Sequence, residues 1–254
     1  MQKLIGSEAN IDVGSHKDIY DLRLYAASEK DVVVFIHMKL LFKFVGDTDS
    51  NGNVLTGKDG KPLTSWTTKE KSDFVTNWKQ SVLSRWRAKR VANHNGVHIS
   101  IDFDFEIKTD TAFPGSHWQL LVQKLPKGIK SETSFVWRNQ LPGKFDVLLD
   151  SRDNELKTKI GDGKQTGAAH EFGHMIGLPD EYVKAAPKKH KADKHSIMNT
   201  GSKPRNRHYL SVIDWSTPRI DSWKATIDAM NAIDAMRNGC ILRPGDPHTM
   251  RPQL

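Results

Sequence analysis

His170-Glu171-Phe172-Gly173-His174-Met175-Ile176-Gly177-Leu178-Pro179-Asp180-Glu181-Tyr182 carries the densest chemistry in the chain. His170 and His174 are four residues apart, so a helix stacks them on one face. Two imidazole nitrogens at that spacing can hold one zinc ion. Glu171 lies beside such a metal without needing to bind it, which suits a general base acting on water. Ala169, Phe172, Gly173 and Ile176 form a neighbouring apolar face that can seat the helix in a core. Gly177 can take the left-handed conformation that ends a helix, and Pro179 blocks its resumption. The turn then returns Asp180 and Glu181 towards the histidines. A carboxylate is an acceptable third zinc ligand. Asp180 is the expected one and Glu181 its competitor, and a fourth position stays open for water.

Further along, Ser196-Ile197-Met198-Asn199-Thr200 places Met198 eighteen residues beyond Asp180. Together the two segments resemble the metzincin peptidases, in which a tight turn carries a Met beneath the zinc site. The series His170-Glu171-x-x-His174-x-x-Gly177-Leu178-Pro179-Asp180-x-Tyr182 is similar to the snapalysin-type variant, where Asp stands in place of a third His. The resemblance covers about residues 169–200. It implies zinc held by His170, His174 and Asp180, Glu171 as the catalytic base, Gly177 and Met198 in structural roles, and hydrolysis of peptide bonds in a peptide or protein substrate. It also implies a twisted mixed sheet with a backing helix, an active-site helix, a Met-turn and a C-terminal helix. The chain departs from the pattern in places. Several metzincin groups have Tyr two residues after the Met, where this chain has Thr200. Tyr209 and His208 are therefore the candidates for stabilising a tetrahedral intermediate. Snapalysin-like enzymes are also smaller and secreted.

Working outward, the remaining signals give an α+β layout in one domain, 1–254. Ile36, Met38, Leu40, Phe42 and Phe44 alternate with His37, Lys39, Leu41 and Lys43, a period of two that predicts a half-buried strand. The stretch 46–62 is turn-rich. Asp47 to Asn53 resembles the start of a calcium loop, but Lys58 occupies the twelfth position, where a bidentate Glu is needed, so a turn is expected. Phe74, Trp78, Val82 and Trp86 recur every four residues and predict a helix over Thr68 to Lys89. His98 to Ile107 reads as a strand with a solvated acidic face. Trp118 to Gln123, Ser134 to Trp137 and Phe145 to Leu149 are further strands, and Phe145 to Asp150 is the expected substrate-pairing edge. Arg219 to Met236 is an amphipathic last helix with Ile220, Trp223, Ile227, Met230 and Ile233 on one stripe.

The chain has 254 residues, 37% of them hydrophobic, which is enough for a packed core. No apolar run is long enough for a membrane span, and the first residues lack a secretory signal. Cys240 is the only cysteine, so no intrachain disulfide forms. These features suit the cytoplasm, or export by a route without such a signal. The net charge of +8 favours acidic partners, but the basic residues are dispersed and no nucleic-acid motif accompanies them, so nucleic acid is not expected. Lys184 to Lys194 reads as a solvated loop, and His190 and His195 are weaker metal candidates because neither pairs on the helix with the first two. Two rival functions use the same residues. One is an amide hydrolase acting on peptidoglycan peptides, as an exported bacterial toxin would. The other is a basic binding module with a structural zinc. Neither an inhibitor nor an immunity partner is legible in the sequence.

Overall fold

Alternation of apolar side chains builds a mixed sheet around one central strand. The computed structural model describes residues 2–47, 53–56, 60, 62–126, 134–138, 145–159 and 163–239, the side chains of 237–239 excepted. The chain opens with β1 (Lys3–Val13), β2 (His16–Ser28) and β3 (Asp31–Val45), an antiparallel meander. Next come α1 (Thr68–Trp86), β4 (Ala88–His94), β5 (Val97–Thr109) and β6 (Trp118–Gln123). β7 (Phe135–Val136), β8 (Val147–Asp150), β9 (Leu156–Thr158) and β10 (Lys164–Thr166) precede α2 (Gly167–Met175). α3 (Lys188–Ala192), a 3-10 turn (Asn206–Tyr209) and α4 (Leu210–Gly239) complete the order. Much of the expected turn region, including Lys58, lies outside the described residues, as does Cys240.

β3 runs parallel to β5 along one edge; on the other it takes β2 antiparallel and, further along, β6 parallel. The sheet continues through β8 to β7. β8 therefore sits between β6 and β7, which corrects the expectation that Phe145 to Asp150 forms an edge: the short strand β7 covers it. β3 is also more buried than its alternation implied. His37 and Leu41, on the opposite face of the strand, are buried too, His37 beside His117 and Asp104. The acidic face of β5 is solvated as expected, with Asp102 paired to Arg87 and Asp104 to His37.

α1 is shorter than its periodicity suggests. A capping box of Thr67 and Glu70 starts it. It ends at Trp86, where Arg87 turns extended (ψ 130°) and the chain pairs Ala88 to His94 against β5. Helical propensity in Arg87-Ala88-Lys89 yields to strand pairing. Phe74, Trp78, Val82 and Trp86 are buried against the sheet. Phe172 of α2 enters the same cluster, its ring 5.2–6.0 Å from those of Phe103, Phe105, Trp78 and Trp86. It is fully buried, so Phe172→Ala should cost about 3–5 kcal/mol, read as a lowered urea midpoint with an unchanged slope. A loss under about 1 kcal/mol would show that this cluster does not anchor α2.

α4 starts earlier than expected and carries Pro218 within it. Of its predicted stripe, Ile220 and Trp223 are buried, whereas Met230 and Ile233 are about half exposed. Among the described residues no helix is long and apolar enough to cross a membrane.

Candidate metal centre

α2 is buried nearly throughout. Its entry is set by Asp153, whose carbonyl accepts from Ala168 N (3.0 Å). Asp153 is itself buried; its carboxylate accepts from Asp150 N (2.7 Å), Lys157 Nζ (3.0 Å) and the Ser134 hydroxyl. A Cβ on Gly167 would meet Asp153 Oδ1 at 2.3 Å, so only glycine fits there. The helix ends as the sequence predicts. Gly177 has φ +89°, Gly177 N donates to His174 O (2.9 Å), and Leu178 N donates to Gly173 O (3.0 Å). This is a Schellman motif. The same turn is locked from outside, because a Cβ on Gly177 would sit 2.5 Å from Val13 Cγ1 at the tip of the β1–β2 hairpin.

His170, His174 and Asp180 come together, with one ligand atom from each lying within 4.8 Å of the others. Asp180 Oδ1 is 3.2 Å from His170 Nε2 and 3.4 Å from His174 Nε2. It is buried and makes no hydrogen bond in that position. The rings meet edge to face, 5.0 Å apart. Each Nδ1 faces a carbonyl: His170 that of Ile197 and His174 that of Leu178, both at 2.7 Å. A carbonyl only accepts, so both Nδ1 atoms carry the proton and both Nε2 lone pairs converge with the Asp180 oxygen. Tetrahedral zinc with bonds of roughly 2.0–2.1 Å would space its ligand atoms about 3.3–3.4 Å apart, close to these separations. The three residues thus fit a zinc ion. Electrostatics agree. Burial alone would raise the Asp180 pKa, yet His170 and His174 hold it well below the carboxylate range. Burial alone would lower that of His174, yet Asp180 and Glu171 outweigh it and raise it. The carboxylate thus stays ionised beside the two imidazoles.

Glu181 is spent elsewhere. Its carboxylate takes a two-pronged contact from Arg207 (2.6 and 2.7 Å) and lies 3.2 Å from His208 Nε2. Burial would raise its pKa, but Arg207 and His208 bring it down to about 2. Glu181 N also donates to Met198 O (2.8 Å), which ties the returning strand to the Ser196–Thr200 turn. That turn lies under α2. Met198 is fully buried, and a Cβ on Gly173 would be 2.2 Å from its sulfur. Gly173 is thus the hole into which Met198 fits. Gln165 had no signal in the sequence reading. Its buried amide donates to Ile197 O (2.6 Å) and Gly201 O (2.8 Å) and so holds the turn from beneath.

Tyr209 and His208 do not reach the centre. The Tyr209 hydroxyl donates to Trp86 O (2.8 Å) and is buried. His208 is buried against Glu181, and its Nδ1 accepts from Arg205 N (3.1 Å). Both expectations are corrected: these side chains brace the Met198 turn and the end of α1. His190 and His195 also stand outside the ligand set. The Lys184 to Lys194 segment is largely exposed, as expected, though it carries α3 and is fastened by Asn199 Nδ2 to the carbonyls of His190 and Lys191.

The centre opens into a cleft of about 590 Å³, lined by His170, Glu171, His174, Asp180 and Tyr182 on one side and by the β1–β2 hairpin tip and β7 on the other. Glu171 is buried there, and its Oε2 has no hydrogen-bond partner among the described residues. Burial pushes its pKa up, against the pull of His170 and His174. A larger cavity, about 670 Å³, lies along α1 beside Trp66, Glu70 and Lys124, away from these residues. It lacks converging ligand atoms, so the smaller cleft is the site. A scan against family models gives no match for this chain, and a search of curated proteins gives none either.

Proposed function

We propose that the chain is a zinc-dependent peptidase of metzincin type, hydrolysing peptide bonds in the cleft above His170, His174 and Asp180. The observation that carries the reading is the meeting of two kinds of group in one cleft. Three ligand atoms converge without bonding one another, and beside them Glu171 holds a buried carboxylate oxygen with no partner. A purely structural zinc would not need that carboxylate, so a catalytic centre is favoured over a binding module. Zinc, when held by His170, His174 and Asp180, supplies Lewis acidity, polarising a carbonyl and lowering the pKa of water. The carbonyls of Ile197 and Leu178 fix the two imidazoles in the tautomer that binds metal. Glu171 accepts a proton from the attacking water and delivers it to the leaving amine as the C–N bond breaks. Its raised pKa brings it nearer the range in which one group can both take and return a proton. Seating Met198 in the hole at Gly173 keeps α2 in register with the turn that orients His170.

Elemental analysis of protein purified without added metal, paired with cleavage profiling on a broad peptide library, tests this. The expected result is a single zinc per chain and cleavage that a chelator abolishes and zinc restores. Zinc that stays substoichiometric after titration, or a fully loaded protein that cleaves no peptide, would sink the reading.

A further inference from the structure

The peptidase reading leaves the developing negative charge on the substrate carbonyl without a protein donor, since Tyr209 and His208 are committed elsewhere. The side-chain donors that line the cleft outside the ligand set are Ser15, His16, Ser134 and Tyr182. Ser134 donates to Asp153, Ser15 is exposed at the hairpin turn, and Tyr182 is half exposed. That leaves His16, the first residue of β2. Its ring lies edge-on to Trp118, centroids 6.1 Å apart. Trp118 is fully buried, so the His16 side chain is turned to the core side of the hairpin. Neither ring nitrogen of His16 has a hydrogen-bond partner among the described residues. It also stands outside the converging ligand set, so it is placed to meet substrate rather than metal.

Its position is rigidly determined. Val13 and His16 are paired across the hairpin turn at Gly14, whose φ is +59°. Val13 is wedged against Gly177, and Trp118 Nε1 donates to Ile19 O (2.8 Å). The hairpin tip is thus pinned both to the end of the helix that carries the histidines and to the sheet. Burial, followed by the charge of Arg138, lowers the His16 pKa; an imidazole in either protonation state has an N–H to give.

Resting on the peptidase reading, we propose that His16 is a catalytic residue of this centre: its free N–H donates a hydrogen bond to the substrate carbonyl oxygen as charge gathers there. Water adds to the carbonyl carbon, the C=O electron pair moves onto oxygen, and Glu171 takes the water proton. His16 keeps its own proton and lends only the hydrogen bond. When the C–N bond breaks, the electron pair returns and the proton on Glu171 passes to nitrogen.

The test compares His16→Phe and His16→Gln with the parent, using the peptide that the parent cleaves best and a phosphinic analogue of it. His16→Phe should lower kcat about a hundredfold to a thousandfold, with KM within about threefold and with zinc content and melting temperature unchanged. It should weaken the tetrahedral phosphinate by a similar factor. In a Glu171→Gln background it should leave binding of the uncut peptide unchanged. His16→Gln, which keeps an N–H donor, should lose less than His16→Phe. Parent-like kcat, equal weakening of both ligands, or zinc lost along with activity in both variants would overturn the assignment while leaving the peptidase reading intact. A parent that cleaves nothing would bring down both.

Discussion

Glu171→Gln should keep its zinc and lose hydrolysis by about a hundredfold to ten-thousandfold. The substitution preserves size and leaves His170, His174 and Asp180 untouched, so metal content should match the parent. An amide cannot take a proton from water, and among the described residues no other carboxylate lining the cleft is free to replace it. Asp180 belongs to the ligand set, and Asp153 is bonded to Asp150 N, Ser134 and Lys157. The variant should also be at least as stable as the parent, because Glu171 is buried with an oxygen that bonds to nothing, and a neutral amide is cheaper to bury than a carboxylate. Steady-state kinetics beside elemental analysis and a thermal melt decide it. Turnover within about threefold of the parent would place the base elsewhere.

Adjacent carboxylates should give opposite failures. Asp180→Ala removes one of three ligands and should weaken zinc by more than about a hundredfold, beyond the effect typical of groups that only orient a ligand. Glu181→Ala should keep most of the zinc affinity and lose stability instead. It takes the carboxylate partner from His208 and leaves Arg207 with Asp193 alone. Breaking such a pair costs about 3–5 kcal/mol when fully buried. The Arg207 side chain is 25% exposed, so the lower end of that range is expected. Zinc titration against a chelator, run beside urea unfolding, separates the two. Metal loss in Glu181→Ala with retention in Asp180→Ala would reverse the assignment.

The difference between these neighbours shows what the sequence could reveal. The turn at Gly177 and the alternation of an extended segment limit the ligand to one of the two, and the motif resemblance favours Asp180; what occupies Glu181 instead, Arg207, is 26 residues further on with no motif to mark it. Local features were legible for the same reason. His170 and His174 are related by helix geometry alone, and Ile99, Ile101, Phe103 and Phe105 by strand geometry alone. The misreadings all involve partners distant in sequence. α1 stops at Trp86 because β5 offers a pairing edge. Phe145 to Asp150 is covered by β7, which the sequence marks as a strand at Ser134 to Trp137 without showing its partner. Tyr209 looked available until Trp86 O claimed its hydroxyl. β1 gave no periodic signal because it lies at the sheet edge with most of its residues exposed.

The hairpin wedge between Val13 and Gly177 also bears on when the centre can form during folding. The segment 170–180 holds all three ligands and is nearly contiguous. The groups that position it are scattered along the chain: Val13 against Gly177, Trp86 Nε1 on Ala169 O (2.8 Å), and Ile197 O on His170. Glu8 is tied to Trp215 and Arg219 of α4, both at 2.7 Å. Contacts of such wide separation close only after the intervening chain has lost much of its freedom, and folds rich in them form slowly. A nascent or unfolded chain therefore carries the candidate ligand segment without the cleft. On the proposed peptidase reading, the capacity to cut other proteins, itself included, should emerge only once β1 and α4 have met.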